Sequence, residues 1–284
     1  MANLLVVRQR LKSRLKALRQ EWFRRRFAFD VAKLEAELSR LGVKAGDTLL
    51  VHSSFEKLLG FQGTASDVIK TLQACVGPEG TLLMPTLPFS GSALDYVKEL
   101  GVFDARRAPS RMGLLTELFR RTRGVERSLH PTHPVAVWGR RTEFMVKDHH
   151  ASPTPCGRHT PYGRLLDCDG KVLLLGTSIR TLTFYHCVEE LLESEFPESP
   201  FTKEEFVLKS RDAAGNIYET RTRLFDPALS KRRNLSLLEQ RLRQQGSWRQ
   251  GHIGRAGLIL LEAKQVLDAV TSMSHEGIFC YDER

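Results

Sequence analysis

PYGRLLDCDGKVLLLGTSIRTLTFYHCVEE, residues 161–190, reads as a short helix, a tight polar turn, a buried strand and a loop that opens into a second helix. The strand, Lys171–Leu175, is the most apolar in the chain. The helix after it carries His186 and Glu189 three residues apart, a spacing that sets both side chains on one face. Open α/β sheets place their chemistry in loops beyond the carboxyl ends of buried strands. A histidine there can act as a general base near neutral pH. Spacing alone fits equally well a His/Glu pair on a helix surface, so other segments must choose between the two.

Upstream, a helix is expected over Val31–Leu41, with Asp30 as N-cap and Gly42 as stop. A strand at Thr48–His52 follows. Thr64, with Asp67 three residues on, forms a capping-box-like start to the next helix. That helix ends at the Gly77–Gly80 turn, and strand Thr81–Met84 stops at Pro85. A loop-rich region runs from Thr86 to Ser110, and Ser110 is expected to cap a helix reaching about Arg121. Pro134–Trp138 is a short strand, followed by a helix through Thr142–Asp148 and a long loop from His149 to Pro161. Downstream, Glu205–Lys209 and Tyr218–Leu224 alternate like a half-buried hairpin around DAAGN. A basic helical stretch, Asn234–Gln245, leads to strand Gly257–Glu262 and a last helix, Ala263–Met273. This order predicts a single three-layer-like α/β domain over 30–284, with a largely parallel central sheet, a small late β-hairpin subregion and an extra basic N-terminal helix over 1–29.

The chain of 284 residues can bury a core without staples. No apolar run approaches the roughly 20 residues that cross a bilayer, and the N-terminus has its apolar stretch before its charges, the reverse of a secretory signal. Five scattered cysteines without C-x-x-C fit free thiols in a reducing cytoplasm. The net charge is +10. Nine basic residues between Arg8 and Arg26 stand against one acid, Glu21, beside an apolar stripe that includes Leu11, Leu15, Leu18 and Trp22. Such a helix can pack on the main domain or a second subunit, or lie peripherally on an anionic membrane face. Nucleic acid is not expected, since zinc-finger spacing, an RNP pattern and a heptad repeat are all absent.

Four further segments carry chemistry-bearing residues. In VHSSFEKLLGFQGT, His52, Ser53, Ser54, Lys57, Leu59 and Gly60 sit where a strand gives way to a loop suited to an anion; Walker and Rossmann patterns are missing. MPTLPF exposes Thr86 after a proline-broken strand. Ser110, Arg111, Met112 and Gly113 form a helix start with a small residue, suited to a phosphate or a pantetheine chain. His130 and His133 flank a proline turn in HPTHP; no neighbouring carboxylate or cysteine completes a metal set, so no metal is expected. Cys156, His159, His149 and His150 also lack a matching zinc pair. Cys187 points about 100° away from His186 and is read as core.

Taken in order, VHSS…G, GTLLMPT, FD…PSRMGLLTE, RS-HPTHPVAVWG and PYGRLL…GKVLLLG…T…H..E resemble the aminoglycoside 3-N-acetyltransferase family, from about Leu41 to Leu192. The resemblance implies transfer of acetyl from acetyl-CoA to an amine of a sugar-like acceptor. His186, in T-x-x-H-x-x-E, matches the family's catalytic histidine and Glu189 the acid that follows it. The loop from His52 to Gly60, Thr86 and the Ser110–Gly113 turn match positions around the coenzyme. A neutral His186 would take a proton from the attacking amine. Thr177, Ser178 or Ser54 could stabilise the oxyanion, and Glu189 or the later Asp226 could orient the imidazole. Direct transfer in a ternary complex needs no acetyl-enzyme. The positive net charge favours an anionic acceptor, such as a nucleotide- or lipid-linked amino sugar, over an antibiotic. The alternatives are a true aminoglycoside 3-N-acetyltransferase and a non-catalytic sugar- or CoA-binding module attached to a membrane-associated complex.

Overall fold

The computed structural model describes residues 26–282 together with Arg8, Arg14, Glu21 and Trp22. The expected N-terminal helix over 1–29 therefore lies almost wholly outside the described residues. The strands are β1 (Thr48–Ser53), β2 (Thr81–Pro85), β3 (Phe103–Asp104), β4 (Glu126–Arg127), β5 (Val135–Gly139), β6 (Lys171–Leu175), β7 (Phe201–Arg211), β8 (Ile217–Phe225), β9 (Arg249–Ile253) and β10 (Ala256–Glu262).

Seven of these form the main sheet in the order β4-β5-β2-β1-β6-β10-β9. Parallel pairing sits at its centre, β2 with β1 and β1 with β6. The flanks, β4-β5-β2 on one side and β6-β10-β9 on the other, are antiparallel. Along each central strand the side chains divide between two cores. Leu49 and Val51 of β1, with Leu173 and Leu175 of β6, meet the helices Val31–Leu41, Ala65–Val76 and Leu114–Phe119. Leu50, with Val172 and Leu174, meets Phe184–Leu191, Ser236–Gln244 and Ala263–His275. A strand alternates its faces with period two, so an unbroken apolar run such as Val172–Leu175 is stable only with helices on both sides. That makes three layers around the sheet.

The helix caps follow the local chemistry. Asp30 accepts from the Lys33 amide and Gly42 ends the helix in the left-handed region, at φ 104°. Thr64 and Asp67 form the reciprocal capping box. Ser110 does not cap a helix: the helix begins after Gly113, at φ 122°, while the Ser110 hydroxyl pairs with Thr116. The loop-rich region contains an unforeseen helix, Ala93–Glu99, capped by Ser92. The hairpin β7–β8 closes at Asp212–Asn216 as expected and pairs with β3 in a separate three-stranded sheet. Its far end delivers Phe225, Asp226 and a helix, Pro227–Arg232, to the edge of the main sheet.

The position of the site follows from strand order. β1 runs to β2 on one side, yet its other neighbour is β6, reached much later in the chain. The chain thus leaves the carboxyl ends of β1 and β6 in opposite directions, which opens a crevice between them. Gly176 makes the turn out of β6 at φ 68°; a Cβ there would lie 3.0 Å from the Ser54 carbonyl oxygen.

Candidate active site

The helix Phe184–Leu191 buries Phe184, Tyr185, Cys187 and Val188 against the sheet. Glu189 is also fully buried, which rules out a surface His/Glu pair. Its carboxylate accepts from His186 Nδ1 at 3.0 Å and from both Nε (3.0 Å) and Nη2 (2.9 Å) of Arg233, as well as from the Tyr281 hydroxyl. Burial alone would raise the Glu189 carboxyl. The hydrogen bond from His186 and the charge of Arg233 outweigh it and hold the group below the usual range, ionised. Asp226, the other acid in contention, instead caps its own helix through the Ala228 amide.

An ionised carboxylate only accepts, so His186 carries its proton on Nδ1 and presents a bare lone pair at Nε2. Burial, and after it the Arg233 charge, lowers the imidazole below its ordinary value, while Glu189 pulls it back up. The ring is therefore neutral at physiological pH with its basic nitrogen available. Phe225 lies against it, its ring tilted by 32° with centroids 4.1 Å apart.

Two cavities meet at this imidazole. The first, about 260 Å³, lies in the strand-end crevice and is lined by His52, Ser53, Met112, Thr177, Arg180 and His186, among others. The second, about 430 Å³, opens on the other side and is lined by Phe89, His133, His186, Phe225, Lys231 and Arg233, among others. A base shared by two cavities can take a proton from a molecule in one while that molecule attacks an electrophile in the other.

The other anticipated residues divide. His52, Ser53 and Met112 line the first cavity. His52 is pushed down to about 3 by burial, and its Nε2, like the Ser53 hydroxyl, is buried without a protein partner. Unpartnered polar atoms in a crevice await a ligand's hydrogen bonds. Ser110 reaches the cavity wall only through its bond to Thr116. Ser54, Lys57, Leu59, Gly60 and Arg111 are not among the lining residues. Gly60 serves the chain's own packing, because a Cβ would fall 2.3 Å from the Phe27 carbonyl oxygen. Thr86 is fully buried, its hydroxyl bonded to Pro134 O and to Arg127. Cys187 is core, its thiol pushed up by burial. No group of three or more potential metal ligands occurs among the described residues.

Sequence reasoning did not find Arg233, Tyr281 or Phe225. Each lies at least 36 residues from its partner on the His186 helix, and only the basic run Lys231–Arg233 offered a signal.

Comparisons with known proteins identify the family and the fold. Residues 50–274 match the family described as aminoglycoside 3-N-acetyltransferase. The chain is 36% identical over 163 residues to aminoglycoside N(3)-acetyltransferase IV from Salmonella sp, covering 56% of this chain and 58% of that protein; the alignment thus spans less than two thirds of the relative's length. The apoenzyme of the aminoglycoside acetyltransferase AAC(3)-IVa superposes with a TM-score of 0.72 at 25% identity, over 88% of this chain and 90% of that one. AAC-IIIb in binary complex with CoASH superposes with a TM-score of 0.73 at 22% identity, over 90% and 99%, a likeness of fold.

Proposed function

The chain belongs to the aminoglycoside 3-N-acetyltransferase family, and from that membership we propose that it moves the acetyl group of acetyl-CoA to an amino group of an aminoglycoside-like amino sugar. The observation that carries this reading is that His186 lines both cavities. The first cavity takes the acyl end of the donor. Its volume suits a thioester and part of a pantetheine arm, with the nucleotide outside, and the buried unpartnered atoms of His52 and Ser53 give that arm hydrogen bonds. A relative of the same fold is solved with CoASH. The thioester supplies the electrophilic carbonyl and a thiolate leaving group.

The protein's own residues do the rest. The amine reaches the carbonyl from the second cavity. His186 Nε2 accepts its proton as the new C–N bond forms, and Glu189 steadies the imidazolium that results. Arg233 and Tyr281 keep the Glu189 carboxylate ionised and fixed in place. The Thr177 hydroxyl, on the wall of the first cavity and 3.2 Å from Thr181 Oγ1, can turn from that partner to donate to the negative charge that develops on the acyl oxygen. The imidazolium then returns its proton to the departing sulfur.

The excess charge of the chain is concentrated at its N-terminus and gives little support to an anionic sugar as acceptor. Residues 1–29 carry nine basic groups and one acid, +8 of the total +10, which leaves +2 for residues 30–284. The names of the relatives favour an aminoglycoside. An acceptor bearing phosphate keeps one support: the residues lining the second cavity include Lys231 and Arg233 and no carboxylate, whereas a polycation is best met by acids. A thiol-release assay with kanamycin and with glucosamine 6-phosphate separates the two. Turnover of kanamycin alone supports the aminoglycoside, turnover of the phosphate alone supports the anionic sugar, and no thioester consumption with either points to a non-catalytic module. The basic residues 1–29 remain a candidate contact for an anionic surface or a second subunit, tested by vesicle flotation and by sedimentation of a chain lacking them.

A further inference from the structure

The HPTHP turn, Glu126 to Gly139 in its wider setting, is not used by the mechanism above, yet it places a second imidazole against the same space. His133 lines the second cavity, with its ring centroid 6.0 Å from that of His186 and 5.5 Å from that of Phe225. Its protonation pattern follows from the groups around it. The backbone amides of Thr132 and His133 both point at His130 Nδ1, at 3.3 Å each. An amide can only donate, so His130 Nδ1 is a bare acceptor. The Thr132 hydroxyl, 3.2 Å from the same nitrogen, must then give its proton to it. That leaves Thr132 Oγ1 to accept from His133 Nδ1 at 2.9 Å. His133 is thereby locked as the Nδ1–H form, and its Nε2, without a partner among the described residues, is a lone pair left to the cavity.

We infer that His133 is a substrate-binding residue of the acetyl transfer, accepting a hydrogen bond through Nε2 from the acceptor amine whose other proton goes to His186. This rests on the transferase reading above. Two neutral imidazoles set edge to face with centroids 6.0 Å apart, each presenting a lone pair, are close enough for one nitrogen seated beside them to reach both. The acceptor arrives as an ammonium, whose N–H bonds can reach both rings at once. After it gives one proton to solvent, the neutral amine keeps one N–H toward each ring and turns its lone pair to the donor carbonyl, and His186 takes the second proton as the C–N bond forms while the third stays on the amide nitrogen. Burial drives His133 well below its ordinary value, with the neighbouring His186 second, which keeps the ring an acceptor at physiological pH. The turn is rigid as well as correctly protonated. Pro134 fixes its own backbone. Its carbonyl accepts from both the amide (2.8 Å) and the hydroxyl (3.1 Å) of Thr86. Half-buried Arg127 holds Thr86 in turn through its hydroxyl and carbonyl oxygens.

The test is acceptor affinity by calorimetry, which needs no turnover, on full-length protein saturated with CoA. The probe is kanamycin, or glucosamine 6-phosphate where the assay above selects it. His133→Ala is expected to weaken acceptor binding by about ten- to a hundredfold, the value of one hydrogen bond to a charged donor, with CoA affinity unchanged. His133→Gln, whose amide oxygen can stand near the lost Nε2, recovers part of the loss. Thr132→Val, which frees the tautomer without touching the cavity, falls between. A His133→Ala protein that keeps its CoA-induced thermal shift, and so is folded, yet binds acceptor as tightly as wild type overturns the inference. Equal losses in His133→Ala and His133→Gln overturn it too, since they mark a packing role. Wild type that binds acceptor but transfers nothing refutes the transferase reading alone, and the affinity ratios still report on His133.

Discussion

His186 and His133 face one space from two scaffolds, and they are readied by different chemistry. His186 rides on a helix and is oriented by a buried carboxylate, itself held ionised by an arginine and a tyrosine. His133 sits in a proline-bounded turn and is oriented by a hydroxyl whose direction is dictated by two backbone amides. Both rings are neutral with Nδ1–H and a bare Nε2. Only the first has a negative charge behind it to stabilise an imidazolium. The difference teaches a division of labour: the ring with the carboxylate can hold a proton during reaction, while the ring with the hydroxyl can hold a substrate but gains nothing by becoming charged.

Removing the ring backed by the carboxylate should do the most damage. His186→Ala is expected to lower kcat by roughly 10²- to 10⁴-fold while acetyl-CoA still raises the melting temperature; unchanged turnover would dissolve the distinction between the two rings. Glu189→Gln comes next. It leaves Arg233, with a side chain only 14% exposed, without its counter-charge, and a broken buried pair costs about 3–5 kcal/mol in urea unfolding. Because Glu189 raises His186, its loss should also move the acid limb of the kcat profile to lower pH, and a limb that moves upward would contradict the arrangement.

Neutral burial has a cost that pH can expose. His52 and His149 are pushed down to about 3, and His130 and His133 well below 6.5, all chiefly by desolvation. The unfolded chain takes up protons at these sites below about pH 6.5, while the folded one does not. Their contribution to stability is therefore complete above that pH and is lost as pH falls toward 3, by at most about 1.4 kcal/mol per pH unit for each ring. His130→Gln should flatten the fall in melting temperature between pH 6.5 and 5; an unaltered slope would mean that the ring is not buried neutral. Thr132→Val acts on the hydroxyl side alone, with acceptor KM rising about three- to tenfold and no shift of the acid limb. The smallest effect belongs to Asp226→Ala. It removes a helix cap worth about 1 kcal/mol and should leave the pH profile in place, since Glu189 alone orients His186.

Legibility in the sequence followed range. The capping box at Thr64 and the stop at Gly42 involve residues three or four apart, and both were read correctly. The buried strand Lys171–Leu175 was equally plain. Ser110 misled, because Gly113 can adopt the backbone that starts the helix and serine three residues earlier then finds a tertiary partner. Strand β9, RQGHI, escaped notice: an edge strand with polar side chains has no pattern to betray it. HPTHP offers only an incomplete metal pair to local reading, since nothing in the segment shows that its second histidine meets a helix more than fifty residues later.

From the sequence alone came the alternation of strands and helices, the absence of a spanning segment, and a histidine and a glutamate on one helical face behind a buried strand. These are properties of neighbours, set by backbone geometry and by the hydrophobic period. The folded chain added what distance along the backbone hides: Arg233 and Tyr281 around Glu189, the lining of two cavities by one histidine, and the partners that set the tautomers of His186 and His133. A tautomer is fixed only by what stands opposite each ring nitrogen, and here those groups arrive from the far end of the chain or from a turn that closes on itself.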